Sequence, residues 1–353
     1  MIERFKRNIG TLLGGVFAVL CWAAVLPATP AGAVTPKAPA KAAGASPAPK
    51  ASSLTPLLEA QIRLDRLGIS PGEIDGVAGE NSTKAIAEFQ RRAGRKVADG
   101  RLDWLTRRQL RHRVKAPALS IHRITAEEAA GPFVAIPSEP ADQAKLDSMG
   151  YESLQEALAE RYHSSPELLV ALNPGARFVA GETLRVPNVL PPPAVPAADA
   201  SRDAQNAAPK APADPSFIAK VIVSKSAKDM RGVNAQGATV FYAPASSGSE
   251  HDPLPIGLWK VTSVVRNPVF HYNPDLFWDA DPGDEKAKLP GGPNNPVGVG
   301  WVDLTKEHYG LHGSPSPGKI GHTESHGCVR LTNWDALRLM AGVDAGTPVE
   351  FVE

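Results

Sequence analysis

Cysteine is nearly absent from this chain. Its 353 residues hold two, Cys21 and Cys328. That excludes a disulfide scaffold and any cysteine-rich zinc or iron–sulfur module. An excess of one charge is missing too: 38 Lys and Arg stand against 37 Asp and Glu, a formal net charge of +1. A nucleic-acid-binding protein would show a basic stripe or a strongly basic domain, so no nucleic-acid partner is expected. What is plentiful is proline and glycine. The 34 Pro and 31 Gly make up about 18% of the residues, below a wholly low-complexity chain but enough to imply long linkers. At this length two or three domains are expected.

Residues 9–26 form an apolar run behind Arg4, Lys6 and Arg7. Pro27 and Pro30 break the run, and Ala31-Gly32-Ala33 supplies an A-x-A cleavage pattern. This is the layout of a secretory signal peptide over 1–33. The alternative is an uncleaved anchor, because the run reaches the lower limit for a membrane span. Cleavage would remove Cys21 and any stable membrane anchor, and leave Cys328 alone in an oxidising compartment. A lone cysteine there is a reactive thiol, half of an intermolecular disulfide, or a small buried hydrophobe.

Two linkers punctuate the rest. Residues 34–53, rich in Ala, Pro, Lys and Ser, and residues 190–215, headed by Pro191-Pro192-Pro193, read as disordered and extended. They leave segments at 54–113, 118–189 and 216–353. In the first, Leu57, Leu58, Ile62 and Leu67 fall near helical spacing, a second helix is expected over 82–92, and a third holds Trp104, Leu105 and Leu110. This segment resembles the peptidoglycan-binding-domain-1 family through Leu67-Gly68, Ile74-Asp75-Gly76, Ala85-Ile86, Phe89-Gln90 and Leu102-Asp103. In the second, Leu154, Leu158 and Tyr162 line a helix, and Pro166 opens another that ends at Asn173-Pro174-Gly175. Leu184 to Pro187 read as a strand. Leu172-Asn173-Pro174 and Gly181-Glu182 make this small α+β segment similar to a LysM domain, with its opening stretched by residues 131–149.

The C-terminal segment reads as mainly β. Ile218, Val221 and Val223, then Val240 to Tyr242, then the alternating residues 259–264 mark strands. Residues 270–300 read as one long loop, a length that is usually functional. Thr332-Asn333-Trp334-Asp335 is expected to open a short helix, and residues 347–352 a last strand.

Four of the nine histidines lie between His308 and His326, close to Cys328. Two chemistries fit. One is a Cys–His nucleophile and base, where a neighbouring imidazole or a field of amides activates a thiol. The other is a metal site from His308, His312, His326 and Cys328. Gly310 and Gly313 argue against the helix that would bring His308 and His312 together, and the His326–Cys328 spacing fits no common zinc motif. No metal and no cofactor are therefore expected.

His312-Gly313-Ser314, followed by Ser325-His326-Gly327-Cys328-Val329-Arg330-Leu331 with Cys328 sixteen positions after His312, resembles the signature of the L,D-transpeptidase catalytic (YkuD) family. Ser314 stands where threonine is common. The resemblance implies a β-sandwich with a short helix. It implies that Cys328 is the nucleophile, that His312 is general base and acid, and that the Gly313 carbonyl orients His312. It implies an oxyanion hole around Gly327 and Cys328, with His326 beside it. Arg330, Ser325, Tyr309 and Trp278 are the substrate-side candidates. The implied partner is peptidoglycan, both its tetrapeptide stems and its glycan strands. The implied reaction is acyl transfer from the stem through a Cys328 thioester to an amine, giving 3→3 crosslinks. Water, a free D-amino acid or a protein lysine as acceptor would make it a carboxypeptidase, an exchange enzyme or an anchoring enzyme. A wall-binding protein without catalysis is the remaining class. The expected location is the periplasm or cell wall, and the oligomeric state stays open.

Overall fold

The computed structural model describes residues 54–191, 217–278, 280–281 and 283–353, and they fall in one compact unit. The leader, the first linker and most of the second lie outside the described residues. Among those described, no helix is long and apolar enough to cross a membrane.

Three helices open the described chain: α1 (Pro56–Arg66), α2 (Glu80–Arg92) and α3 (Trp104–Arg113). Their starts are written locally. Thr55 and Asp103 each accept a backbone N–H of the first turn, and Pro56 takes the position where a missing N–H costs nothing. Leu64, Ala85, Ile86, Phe89 and Leu110 fill the core between them. The middle segment begins with β1 (Leu119–Arg123), continues through short helices α4 (Ala126–Ala130) and α5 (Pro140–Gln143), then α6 (Leu154–Arg161) and α7 (Pro166–Leu172), and closes with β2 (Thr183–Pro187) antiparallel to β1. Ser153 and Ser165 cap α6 and α7.

The rest is a sheet built from β3 (Lys220–Ser224), β4 (Asp229–Val233), β5 (Thr239–Pro244), β6 (Gly257–Arg266), β9 (Gly300–Leu304), β10 (Gly310–His312), β11 (Val329–Arg330) and β12 (Pro348–Val352). Its order is β11-β10-β9-β6-β12-β3-β4-β5. The short helix α8 (Asn333–Gly342) packs on β9 and β10. The sheet is curled, in keeping with the mainly β segment expected from the sequence. Strand β6 makes the curl: its first half pairs with β12, its second with β9, and the register shifts between Val261 and Ser263. Beyond β5 the chain meets the far edge: Ser246 exchanges two backbone hydrogen bonds with Arg330, at 3.0 and 2.8 Å. Residues 270–300, expected to be one loop, contain a hairpin of β7 (Phe270–Tyr272) and β8 (Ala287–Leu289). Strands of three residues flanked by Asn, Asp and Pro carry too little alternation to show in sequence.

The segments share their interiors. Ile69 bridges Tyr242 on the outer edge of β5, covering an edge strand that would otherwise present unpaired amides. Leu58, Ile62, Ile74, Leu168 and Leu172 form one apolar cluster between α1 and α7. At the centre Asp65 of α1 receives both Arg338 Nη atoms, at 2.9 and 2.8 Å, and His163 Nδ1 at 3.0 Å. His163 stacks on Trp334 at 5.1 Å. The stretched opening at 131–149 ends in a docking strap: Met149 N–H donates to the Gly291 carbonyl, and Asn294 N–H donates to the Met149 carbonyl.

Candidate active site

His312 ends β10, and Cys328 immediately precedes β11. The two strands run parallel with Leu311 opposite Val329 and His312 opposite Arg330. In that register His312 and Cys328 leave the same face from diagonal positions. Strand spacing and rise place their Cα atoms roughly 8 Å apart, a separation that two side chains can bridge.

Each member is held locally. The His312 ring is buried, 4% exposed. Its Nδ1–H donates to the Gly313 carbonyl at 2.7 Å, which leaves Nε2 as the acceptor needed in a base. One face lies on Trp301 of β9, 5.3 Å between centroids and 15° from parallel. Gly310 makes room for that tryptophan: a Cβ there would sit 2.5 Å from its ring. Burial holds His312 down to about 4, with the Gly313 carbonyl opposing and the Arg330 charge adding. Burial also pushes the Cys328 thiol up, against a Gly310 N–H and the Arg330 charge that pull it down. Both shifts favour the uncharged forms, imidazole and thiol.

The loop before Cys328 is fixed on both sides. Ser325 is buried, donates its hydroxyl to the Cys328 carbonyl, and pairs through its backbone with Ser247 and Ser249. Ser325 thus shapes the loop that carries Cys328. Gly327 has φ +103°, and a Cβ there would lie 2.9 Å from the Tyr309 ring, so glycine alone suits both backbone and neighbour. Tyr309 thereby packs against the loop that carries Cys328. The Cys328 Sγ also faces the His308 carbonyl at 3.6 Å. Phe277 lies edge-on to His326 at 5.0 Å, and Trp278, 61% exposed, stacks on His251 at 4.4 Å and stands 6.1 Å from His326. These rings form an aromatic rim. Arg330 is tied by its backbone to Ser246, and its charge reaches both His312 and Cys328.

Two other histidines stay out of this group. His308 is exposed beside Glu307, and His322 meets Asn81 of α2. Among the described residues no three His, Cys, Asp or Glu side chains are grouped as a metal would need. Trp301 and the Gly310 amide carried no sequence signal. Their roles come from strand pairing, which brings residues 301, 310 and 328 together.

Residues 219–351 match the family described as the L,D-transpeptidase catalytic domain, YkuD. Residues 55–110 match one described as "Putative peptidoglycan binding domain". The C-terminal part of this chain thus matches the L,D-transpeptidase catalytic-domain family, with a match to a peptidoglycan-binding-type segment ahead of it. Among curated relatives, the "Putative L,D-transpeptidase YkuD" of Bacillus licheniformis is 46% identical over 57 residues, 16% of this chain and 34% of that protein. The "Putative L,D-transpeptidase YqjB" of Bacillus subtilis is 27% identical over 135 residues, 36% of this chain and 68% of that protein. A solved "L,D-transpeptidase from Mycobacterium smegmatis" is 23% identical with a TM-score of 0.31, over 38% of this chain and 58% of that one. The chain spans about a third of the length of the Bacillus YkuD relatives it matches.

Proposed function

We propose that this protein is an exported peptidoglycan L,D-transpeptidase. The observation that carries the reading is the pair of His312, held as the Nδ1–H tautomer by the Gly313 carbonyl, and Cys328 on the same face of the neighbouring strand. The thiol gives its proton to His312 Nε2 as sulfur attacks the carbonyl between the third residue and the terminal D-alanine of a tetrapeptide stem. The C–S bond forms and the C–N bond breaks. D-alanine leaves as an amine, carrying the proton from His312. An amine of a second stem then attacks the thioester and gives its proton to His312: the new C–N bond forms, the C–S bond breaks, and His312 passes that proton to the departing sulfur. Backbone N–H groups of Gly327 and Cys328 serve the oxyanion, where one lost donor costs about 10²–10³ in rate.

The remaining parts fit the same substrate. Residues 1–33 direct export to the periplasm or cell wall. Residues 54–113 hold peptidoglycan, supported by the family match there. Residues 118–189 act as a LysM-like glycan contact, supported by the pairing of β1 with β2 around the helices α4 to α7.

Mass spectrometry of products from tetrapeptide muropeptides tests this. The expected result is a 3→3 crosslinked dimer with released D-alanine, abolished by iodoacetamide and unaffected by EDTA. Tripeptide alone would reassign the enzyme as a carboxypeptidase, and incorporation of an added D-amino acid as an exchange enzyme. No product, with sacculus binding retained, would contradict an enzyme. The same assay reads the base. Because His312 must be neutral to accept the thiol proton and is held at about 4, kcat/KM should fall only as pH drops through about 4. An acid limb near the ordinary histidine value of about 6.5 would contradict this.

A further inference from the structure

The middle segment reaches the catalytic histidine. Its helix α6 carries Glu160, whose Oε2 accepts from Asn333 Nδ2 at 2.9 Å and whose Oε1 accepts from Tyr151 Oη at 3.0 Å. Asn333 is 1% exposed and opens α8. The same amide nitrogen donates to the Pro293 carbonyl at 3.2 Å. The other end of that amide points into the site: Oδ1 accepts from Val299 N–H at 3.1 Å. It also lies 2.3 Å from where a Cβ on Gly313 would sit. Gly313 is therefore wedged between the asparagine and the 298–300 backbone, to which its own N–H donates, at the Gly300 carbonyl, over 3.1 Å. Its carbonyl, so fixed, is the one that holds His312.

We propose that Asn333, seated on Glu160 of the middle segment, is a positioning residue for His312, acting through the Gly313 carbonyl. The segment 118–189 then helps to hold the site's geometry from outside it. An amide has one donor end and one acceptor end, and here each has a distinct task. Glu160 and Pro293 take the donor end and so fix which way the acceptor faces. Without Glu160 the amide is freer to turn, the Gly313 carbonyl loses its wedge, and the His312 ring loses its set orientation and part of its burial. The proposal rests on the acyl-transfer reading only for its kinetic arm.

The test uses the full chain with Glu160→Ala and Glu160→Gln. Burial pushes the Glu160 carboxyl up to about 7, so a neutral amide there reproduces its acceptor. Ring ¹H–¹⁵N NMR of His312 gives the tautomer and titration midpoint without any substrate. Kinetics with a tetrapeptide muropeptide give kcat and KM. For Glu160→Ala the expected results are a midpoint raised toward the ordinary histidine range, a mixed tautomer, and kcat lowered about 3–10-fold at unchanged KM, the value of one hydrogen bond. Glu160→Gln should behave as wild type in both arms. Asn333→Asp, which keeps the size and removes the donor, should follow Glu160→Ala. Wild-type NMR and kinetics in a folded Glu160→Ala would overturn the proposal. So would an equal defect in Glu160→Gln, or a change in Tm alone. If the wild type shows no turnover, the enzyme reading falls and the NMR arm alone decides the positioning role.

Discussion

Cys328→Ala is expected to abolish muropeptide turnover. Removing the covalent nucleophile of a hydrolytic or acyl-transfer site costs on the order of 10⁴–10⁶-fold in kcat. The change should leave the fold intact. The side chain is small and half-buried, and the loop is held by groups that stay: the Cys328 carbonyl still receives Ser325, and β11 still pairs with β10. Binding to sacculi, which we assign to 54–113, should persist. Turnover measured alongside a sacculus pull-down separates the two. Full activity in the alanine variant would show that another group carries the chemistry. Loss of both activities would show that the substitution damaged the whole protein.

Arg338→Ala should cause the largest loss of stability. Arg338 and His163 converge on Asp65, which is fully buried between α1, the middle segment and α8. Burial alone would raise the Asp65 carboxyl. The Arg338 charge, with His163 behind it, overcomes that and holds it well below the usual carboxylate range. Removing one partner of a buried pair leaves a charge without its counter-ion, at about 3–5 kcal/mol. For a unit of this size that corresponds to a fall in Tm on the order of 10 °C. Adding Asp65→Asn should recover part of the loss, because the stranded charge goes with it. The sign with pH follows. A depressed carboxyl stabilises above its unfolded value of about 3.9, and that contribution fades as pH falls. The gap between wild type and Arg338→Ala should therefore be full at neutral pH and narrow in acid. Urea unfolding at both pH values measures it. Equal stability at neutral pH would refute the ion-pair role.

The histidine–cysteine pair was legible because its members sit in one continuous stretch with defined spacing, from His312 to Arg330. Two helix starts were legible for a similar reason: Pro166 sits in the first turn of its helix, and Thr332 accepts from an amide three residues on. Distant contacts were not. Trp301 reaches His312 through antiparallel pairing of β9 and β10. Glu160 reaches Asn333 across 173 positions, and Asp65 reaches Arg338 across 273. No local pattern encodes such a meeting. The stretch 131–149 shows the limit from the other side. Sequence marked it as a departure from a LysM-like opening, but its use, docking Met149 on the loop before β9, depends on a surface about 140 residues away. The curl of the sheet likewise rests on one long strand that changes partners midway, whereas period-two alternation reports only that it is a strand.

Intact-protein mass spectrometry of the full chain with tetrapeptide-bearing muropeptide, quenched before the acceptor reacts, tests the central claim most directly. The expected result is an acyl adduct equal to the donor less one D-alanine. It should map to Cys328, form in the presence of EDTA, and be absent after iodoacetamide. An adduct on another residue, or turnover with no adduct and sensitivity to chelator, would contradict thioester catalysis at Cys328.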